Sequence, residues 1–162
     1  LIMANYAYIN NEIRDACCFV DRSDPMALQP GAQPVPGQAG AQDLSGTRLP
    51  GSSRHKITAA VSYTFNFEPG DLTISVVEDW HSSFYNALFN NPNWFVKGGA
   101  RTDLRASWVS KSRNYEIIGS VTNLFDKEIR TAITTLPPNQ NFYQLLSLQP
   151  PRVWTLELRY HF

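Results

Sequence analysis

Apolar and polar residues alternate along this chain over stretches of ten or more positions, and a sustained helical period is almost absent. The pattern predicts an all-β protein with six strands, at about residues 1 to 13, 54 to 67, 71 to 85, 97 to 110, 114 to 126 and 151 to 162. All eleven prolines fall between these strands or at a strand's first residue, where a missing N–H breaks no ladder. The connections alternate in length. Glu68-Pro69-Gly70 and Lys111-Ser112-Arg113-Asn114 read as tight turns, whereas the stretches near 14 to 53, 86 to 96 and 127 to 150 are long. Antiparallel up-and-down transmembrane β-barrels have short periplasmic turns and longer extracellular loops, and a soluble meander has no reason to keep that alternation. Residues 14–53 are therefore expected to be a long extracellular loop, with the low-complexity run Pro30 to Gly40 as mobile surface.

Successive side chains of a strand point to opposite faces, so each strand divides into two rows. In the second strand Ile57, Ala59, Val61, Tyr63, Phe65 and Phe67 oppose Thr58, Ala60, Ser62, Thr64 and Asn66. In the fourth, Ala100, Thr102, Leu104, Ala106 and Trp108 oppose Arg101, Asp103, Arg105 and Ser107. In the last, Trp154, Leu156, Leu158, Tyr160 and Phe162 oppose Thr155, Glu157, Arg159 and His161. A sandwich could alternate in the same way, but here the aromatic residues gather at two levels. Tyr63, Phe65, Phe67, Trp108, Tyr115, Tyr160 and Phe162 fall at the short-turn end, and Tyr6, Tyr8, Trp80, Phe84 and Trp154 toward the long-loop end. Two aromatic girdles flanking an aliphatic band suit the two interfaces of a bilayer. An Arg or Lys facing lipid at mid-depth costs about 2–4 kcal/mol, so the row with Arg101 and Arg105 is expected to face a wet lumen. Glu78 and Asn123 interrupt apolar rows; each either lies above the hydrocarbon near the outer rim or marks a bulge that switches the register.

Composition narrows the field further. Fourteen basic residues balance fourteen acidic ones, which removes the electrostatic footprint of a nucleic-acid binder. No run approaches the ~18 apolar residues of a spanning helix, which leaves strands as the route across a membrane. The chain opens in mid-pattern at Leu1-Ile2-Met3, so its N-terminus is expected to be a cut within a longer protein. Adjacent cysteines rarely reach disulfide geometry, so Cys17 and Cys18 are expected to be two loop thiols, with no Cys or His at zinc-ligand spacing around them.

Three segments resemble the C-terminal part of TonB-dependent receptors. They are Leu49-Pro50-Gly51 before Arg54-His55-Lys56 and a strand reaching Tyr63; the run Asn123-Leu124-Phe125-Asp126-Lys127-Glu128; and Pro151-Arg152-Val153-Trp154 running to Phe162. The most specific is Asn123-Leu124-Phe125-Asp126 closing the penultimate strand. The terminal strand, with Trp154, Leu156, Leu158, Tyr160 and Phe162 at alternate positions, resembles the signal read by the outer-membrane assembly machinery. The resemblance implies that residues 1–162 are the C-terminal part of a barrel of about 22 strands. It also implies outer-membrane lipid around the strands, a plug domain outside these residues, and a TonB energy-coupling complex acting through that absent N-terminal part. The implied function is active uptake of a scarce nutrient (an iron chelate, cobalamin or a glycan), with no cofactor of the chain's own. A passive porin-type channel and a soluble β-sandwich binding module are the competing readings.

Catalytic chemistry finds little footing. His55, His81 and His161 are scattered, and no metalloprotease helix, nucleophile elbow or phosphate loop accompanies them. Asp79 and His81 share a row of the third strand, where two polar lumen residues are the plainer reading than an acid and base. The chain is read as no enzyme. For ligand capture the candidates are loop aromatics and amides: Phe84, Tyr85, Phe89, Asn90, Asn91, Trp94 and Phe95, then Asn139, Gln140, Asn141, Phe142 and Tyr143. Exposed rings beside amides suit sugars or chelates; that the same residues simply pack neighbouring loops together is the plainer reading.

Overall fold

The computed structural model describes residues 1–20, 41–90 and 92–162. The expected surface run from Pro30 to Gly40 and the ligand candidate Asn91 lie outside the described residues. Six strands form one antiparallel sheet in chain order: β1 (Ile2–Tyr8), β2 (His55–Asn66), β3 (Gly70–His81), β4 (Gly99–Ser110), β5 (Tyr115–Thr122) and β6 (Val153–Tyr160). The all-β, up-and-down arrangement expected from the periodicity is therefore the architecture observed. Among the described residues only two single-turn 3₁₀ segments, Pro92–Trp94 and Pro138–Gln140, are helical, and no helix is long enough to cross a membrane.

Both tight turns form where the sequence places them. Phe67 and Gly70 exchange backbone hydrogen bonds around Glu68-Pro69, and Arg113 donates its N–H to Ser110 at 2.9 Å with a φ of 60°. Gly70 is required there by space: a Cβ would lie 2.4 Å from the Val109 carbonyl oxygen and 2.7 Å from the Trp108 ring. The ends of β1, β3 and β5 fall short of expectation, each for a local reason. Past Ile9 the chain leaves β2, and the Asn11 amide instead holds Ser52 and the Leu49 N–H. The Ser82 N–H still reaches the His55 carbonyl, but Phe84 has left the sheet and packs among the loops, not with the aromatic residues expected at the long-loop end. Beyond the end of β5, Asn123 and Asp126 both adopt positive φ and break the extended path of the strand.

The register across the sheet is unbroken. It aligns Val61, Val76, Leu104, Val121 and Trp154 on one face, and beside them Tyr63, Ile74, Ala106, Gly119 and Leu156. The opposite face carries Ser62, Ser75, Arg105, Ser120 and Thr155. Its hydroxyls bond across strands, Thr64 to Thr73 at 2.9 Å and Ser75 to Ser62 at 3.0 Å, and Arg159 joins Glu157 and Glu116. The rows deduced from alternation are thus the two faces of a single sheet, one apolar and one polar. With no bulge at Glu78, its carboxylate remains on the apolar face and accepts a hydrogen bond from Thr102 across the ladder.

Neither face of the sheet carries the main hydrophobic core. That core lies at the long-loop end, where Leu44, Phe89, Trp94, Val96 and Ile133 come from three different connections and pack with Ile13, Ala16, Phe84 and Ala87. Each connection folds back as a short ribbon: Cys17–Phe19 with Gln42–Asp43, Phe84–Tyr85 with Phe95–Val96, and Arg130–Thr135 with Gln144–Leu148. The first ribbon overturns the reading of Cys17 and Cys18 as separate thiols, because they are disulfide-bonded. The ladder shifts register between Cys17 and Phe19, and Cys18 takes a φ of 114°.

Candidate functional site

Where the long connections meet the polar face they enclose a cavity of about 330 Å³. Its floor is the end of the sheet, with Lys56, Thr58, Asp79, His81, Gly99 and Arg101; its roof is the last connection, with Ile129, Arg130, Thr131 and Gln149. The antiparallel register explains the floor: Lys56 stands opposite His81, and Thr58, Asp79 and Arg101 form one cross-strand row. Gly99 lets the roof close, since a Cβ there would meet Ile129 at 2.9 Å.

Arg101 organises the charge. One guanidinium nitrogen lies 3.2 Å from Asp103 and 3.6 Å from Asp79, and the other is 3.5 Å from the Gln149 side-chain oxygen. Asp79 also accepts a hydrogen bond from Thr58 at 2.7 Å. Lys56 meets no carboxylate within 4 Å among the described residues. The cavity therefore presents donors and acceptors of both signs, an environment for a hydrated, polar ligand group.

Asp79 and His81 share this floor, but no hydrogen bond joins them. The carboxylate is engaged by Thr58 and Arg101, and His81 Nδ1 lies 3.0 Å from the Ser82 carbonyl oxygen. Among the described residues no cluster of three His, Cys, Asp or Glu could hold a metal ion.

The ligand candidates separate into two groups. Trp94, 3% exposed, and Phe89 belong to the loop core, and Phe84 packs against it while also lining the cavity. Tyr85 makes an edge contact with Phe95 at 5.5 Å. Asn139, Asn141, Phe142 and Tyr143 form the tip of the last ribbon, where Asn141 and Phe142 both have φ of 54° and Tyr143 is 66% exposed. Side-chain amides lock the ribbons together, Asn86 to the Ile133 carbonyl at 2.7 Å and Gln144 to the Asn93 carbonyl at 2.8 Å.

The run Asn123-Leu124-Phe125-Asp126 is a clasp. Asn123, 2% exposed, gives its backbone N–H to Asp103, and its side-chain nitrogen donates to the carbonyls of Lys127 and Pro150. Asp126 accepts the Arg152 N–H at 2.9 Å, and the Leu124 N–H reaches the Thr102 carbonyl. The start of the roof is thereby pinned to β4, and its end to Asn123 and Asp126. The terminal residues Trp154, Leu156, Leu158, Tyr160 and Phe162 stand exposed along the sheet's last strand, with Tyr160 in ring contact with Tyr115 and Phe162.

Alternation alone missed Lys56, Thr58, Arg101 and Gln149 as partners in one cavity. The register of the tight turn at Glu68-Pro69 would have paired the first two with His81 and Asp79. No family model and no curated protein sequence matches the chain. Among solved structures, the chain is similar to the ferric yersiniabactin uptake receptor FyuA from Yersinia pestis, with a TM-score of 0.65 and 19% sequence identity. The similarity covers 75% of this chain and 18% of that one, so this antiparallel sheet has the fold of part of an uptake receptor.

Proposed function

We propose that residues 1–162 are the C-terminal portion of a TonB-dependent transporter barrel in the bacterial outer membrane, with residues 14–53 as an extracellular loop. One observation carries the reading: the apolar rows of six strands share a single face, and no element of the described chain covers it. Leu156 is 72% and Leu158 71% exposed, alongside Leu104 in the same face. Soluble monomers rarely leave apolar patches of that extent in water, whereas hydrocarbon receives them favourably. The fold similarity to an uptake receptor supports the same conclusion.

In this reading the polar face lines a hydrated interior. The cavity under the last connection and the exposed tip at Tyr143 belong to the entrance, where a scarce nutrient is received. Energy comes from TonB acting through a plug domain outside these residues, and the terminal strand addresses the chain to the barrel assembly machinery.

Two measurements on the full-length protein test this. Single cysteines at Leu104 and Leu158 should carry fluorophores quenched by brominated lipids, and cysteines at Arg105 and Glu157 should react with water-soluble reagents; the reverse pattern overturns the membrane placement. Uptake from a panel of iron chelates, cobalamin and oligosaccharides should stop when the inner-membrane potential is collapsed. Uptake indifferent to that collapse would identify a passive channel.

A further inference from the structure

The apolar face is not uniformly filled. Ala106, Gly119 and Leu156 are direct register partners on β4, β5 and β6, and the two small residues leave a groove of about 430 Å³ walled by Leu104, Val121 and Trp154. Other glycines of the sheet are explained from within the chain: at Gly70 and Gly99 a Cβ would meet neighbouring atoms at 2.4 Å and 2.9 Å. At Gly119 a Cβ would meet nothing within 4 Å, its φ is not positive, and the register runs through it without a bulge. A glycine inside a strand weakens it and commonly marks a place where something else approaches closely. Nothing in the described chain makes that approach.

The groove's long-loop end supplies a second observation. Trp154 stands there, and Arg152, two residues before it, places a guanidinium nitrogen 3.4 Å from the Leu124 carbonyl oxygen. Lys127 lies over the exposed Phe125 ring at 5.5 Å. Neither cation has a carboxylate partner within 4 Å among the described residues, and Asp126 is occupied by the Arg152 backbone N–H. An apolar channel with Arg152 two residues beyond its Trp154 wall and Lys127 in the same clasp, neither paired with a carboxylate, matches a molecule with an acyl chain and an anionic head.

Resting on the membrane placement above, we infer that this groove is a specific lipid site. It holds one acyl chain of an anionic, phosphate-bearing membrane lipid against Gly119, with the phosphate beside Arg152 and Lys127. Selectivity comes from the cations, since any lipid could offer the chain but only an anionic head is attracted to both of them.

The test uses the full-length protein, exchanged into detergent containing phosphatidylglycerol or phosphatidylcholine and examined by native mass spectrometry. The wild type should retain one phosphatidylglycerol more tightly than any phosphatidylcholine. Gly119→Leu, which fills the groove, and the double variant Arg152→Gln with Lys127→Gln should each weaken that retention about tenfold. Ala106→Leu fills the same gap from the neighbouring strand and serves if the first variant assembles poorly. Equal retention by wild type and groove-filled protein overturns the site, and equal loss of both lipids overturns its headgroup selectivity. A shift from dimer to monomer in Gly119→Leu would assign the groove to a second copy of the chain instead. Bromolipid quenching at Leu158, outside the groove, separates the two levels. Quenching there with a failed groove test rejects the lipid site alone, whereas no quenching rejects the membrane placement and the site together.

Discussion

Asn123 and Lys127 hold each other through two hydrogen bonds: the Asn123 side-chain nitrogen donates to the Lys127 carbonyl at 2.9 Å, and its side-chain oxygen accepts the Lys127 N–H at 3.0 Å. The same side chain reaches Pro150, so one buried amide closes a connection of more than twenty residues at its neck. Asn123→Ala removes every one of these side-chain bonds, at a cost of about 1–3 kcal/mol for each buried group left unpaired. The full-length protein should unfold at a lower temperature, and residues 127–150 should lose hydrogen-exchange protection. Asn123→Asp keeps the acceptor for the Lys127 N–H but sets a buried carboxylate against the Lys127 and Pro150 carbonyl oxygens, so it should destabilise at least as much as the alanine.

Trp94 joins three connections in one core, so its truncation should be felt in all three. Trp94→Ala should cost about 3–5 kcal/mol of local stability, the range for a buried large aromatic. Limited proteolysis should then cut the first, second and last connections at rising rates together. Loosening of residues 82–98 alone would mean that the connections are independent. Tyr143→Ala, at the exposed tip, should leave protease resistance unchanged and lower ligand affinity if the tip contributes to capture.

The two faces of β6 give a paired comparison. Leu156→Arg places a charge on the apolar face and should cost about 2–4 kcal/mol in a bilayer, reducing the amount of assembled, heat-modifiable protein. Thr155→Arg, on the polar face, should assemble like the wild type. Equal losses would mean that the two faces meet the same medium.

Asp43 provides a titration test outside the strands. The Ser45 side chain and then the Ser45 backbone amide, whose N–H it accepts at 2.8 Å, hold this carboxyl below the ordinary aspartate value. A depressed folded value stabilises the turn at pH above the unfolded value of about 3.9 and loses that contribution as pH falls through the folded one. The turn should therefore keep this contribution at neutral pH and lose it on acidification below the ordinary carboxylate value. Carboxyl NMR should show Asp43 titrating low in the wild type and moving upward in Ser45→Ala.

How much of this was legible depended on the length of each connection. Across Glu68-Pro69 and Lys111 to Asn114 the turn fixes the register, so the pairing of Thr58 with Asp79 and of Leu104 with Val121 could be counted from sequence. Across the long connections no such constraint exists. The meeting of Asp79 with Arg101, and of Gly119 with Leu156, appears only when the strands are placed. The strand ends failed where side-chain amides compete with the ladder, at Asn11 and Asn123. The loop core was half visible: Phe84, Phe89 and Trp94 could be read as residues that pack the loops together, whereas Leu44 and Ile133 stand in short segments that show neither a helical nor a strand period. Asn123 was noticed for its resemblance to a family motif; its bonds to Lys127 and Pro150 supply the physical role that the motif did not state.

The shared core also sets what can be exchanged. Because Leu44, Trp94 and Ile133 interlock, transplanting one connection from a protein of similar fold would import a misfitting third of a common interior. The unit of substitution is the trio. Sequence changes should be tolerated best at the outward tips, around Tyr143, and least among the inward-facing side chains.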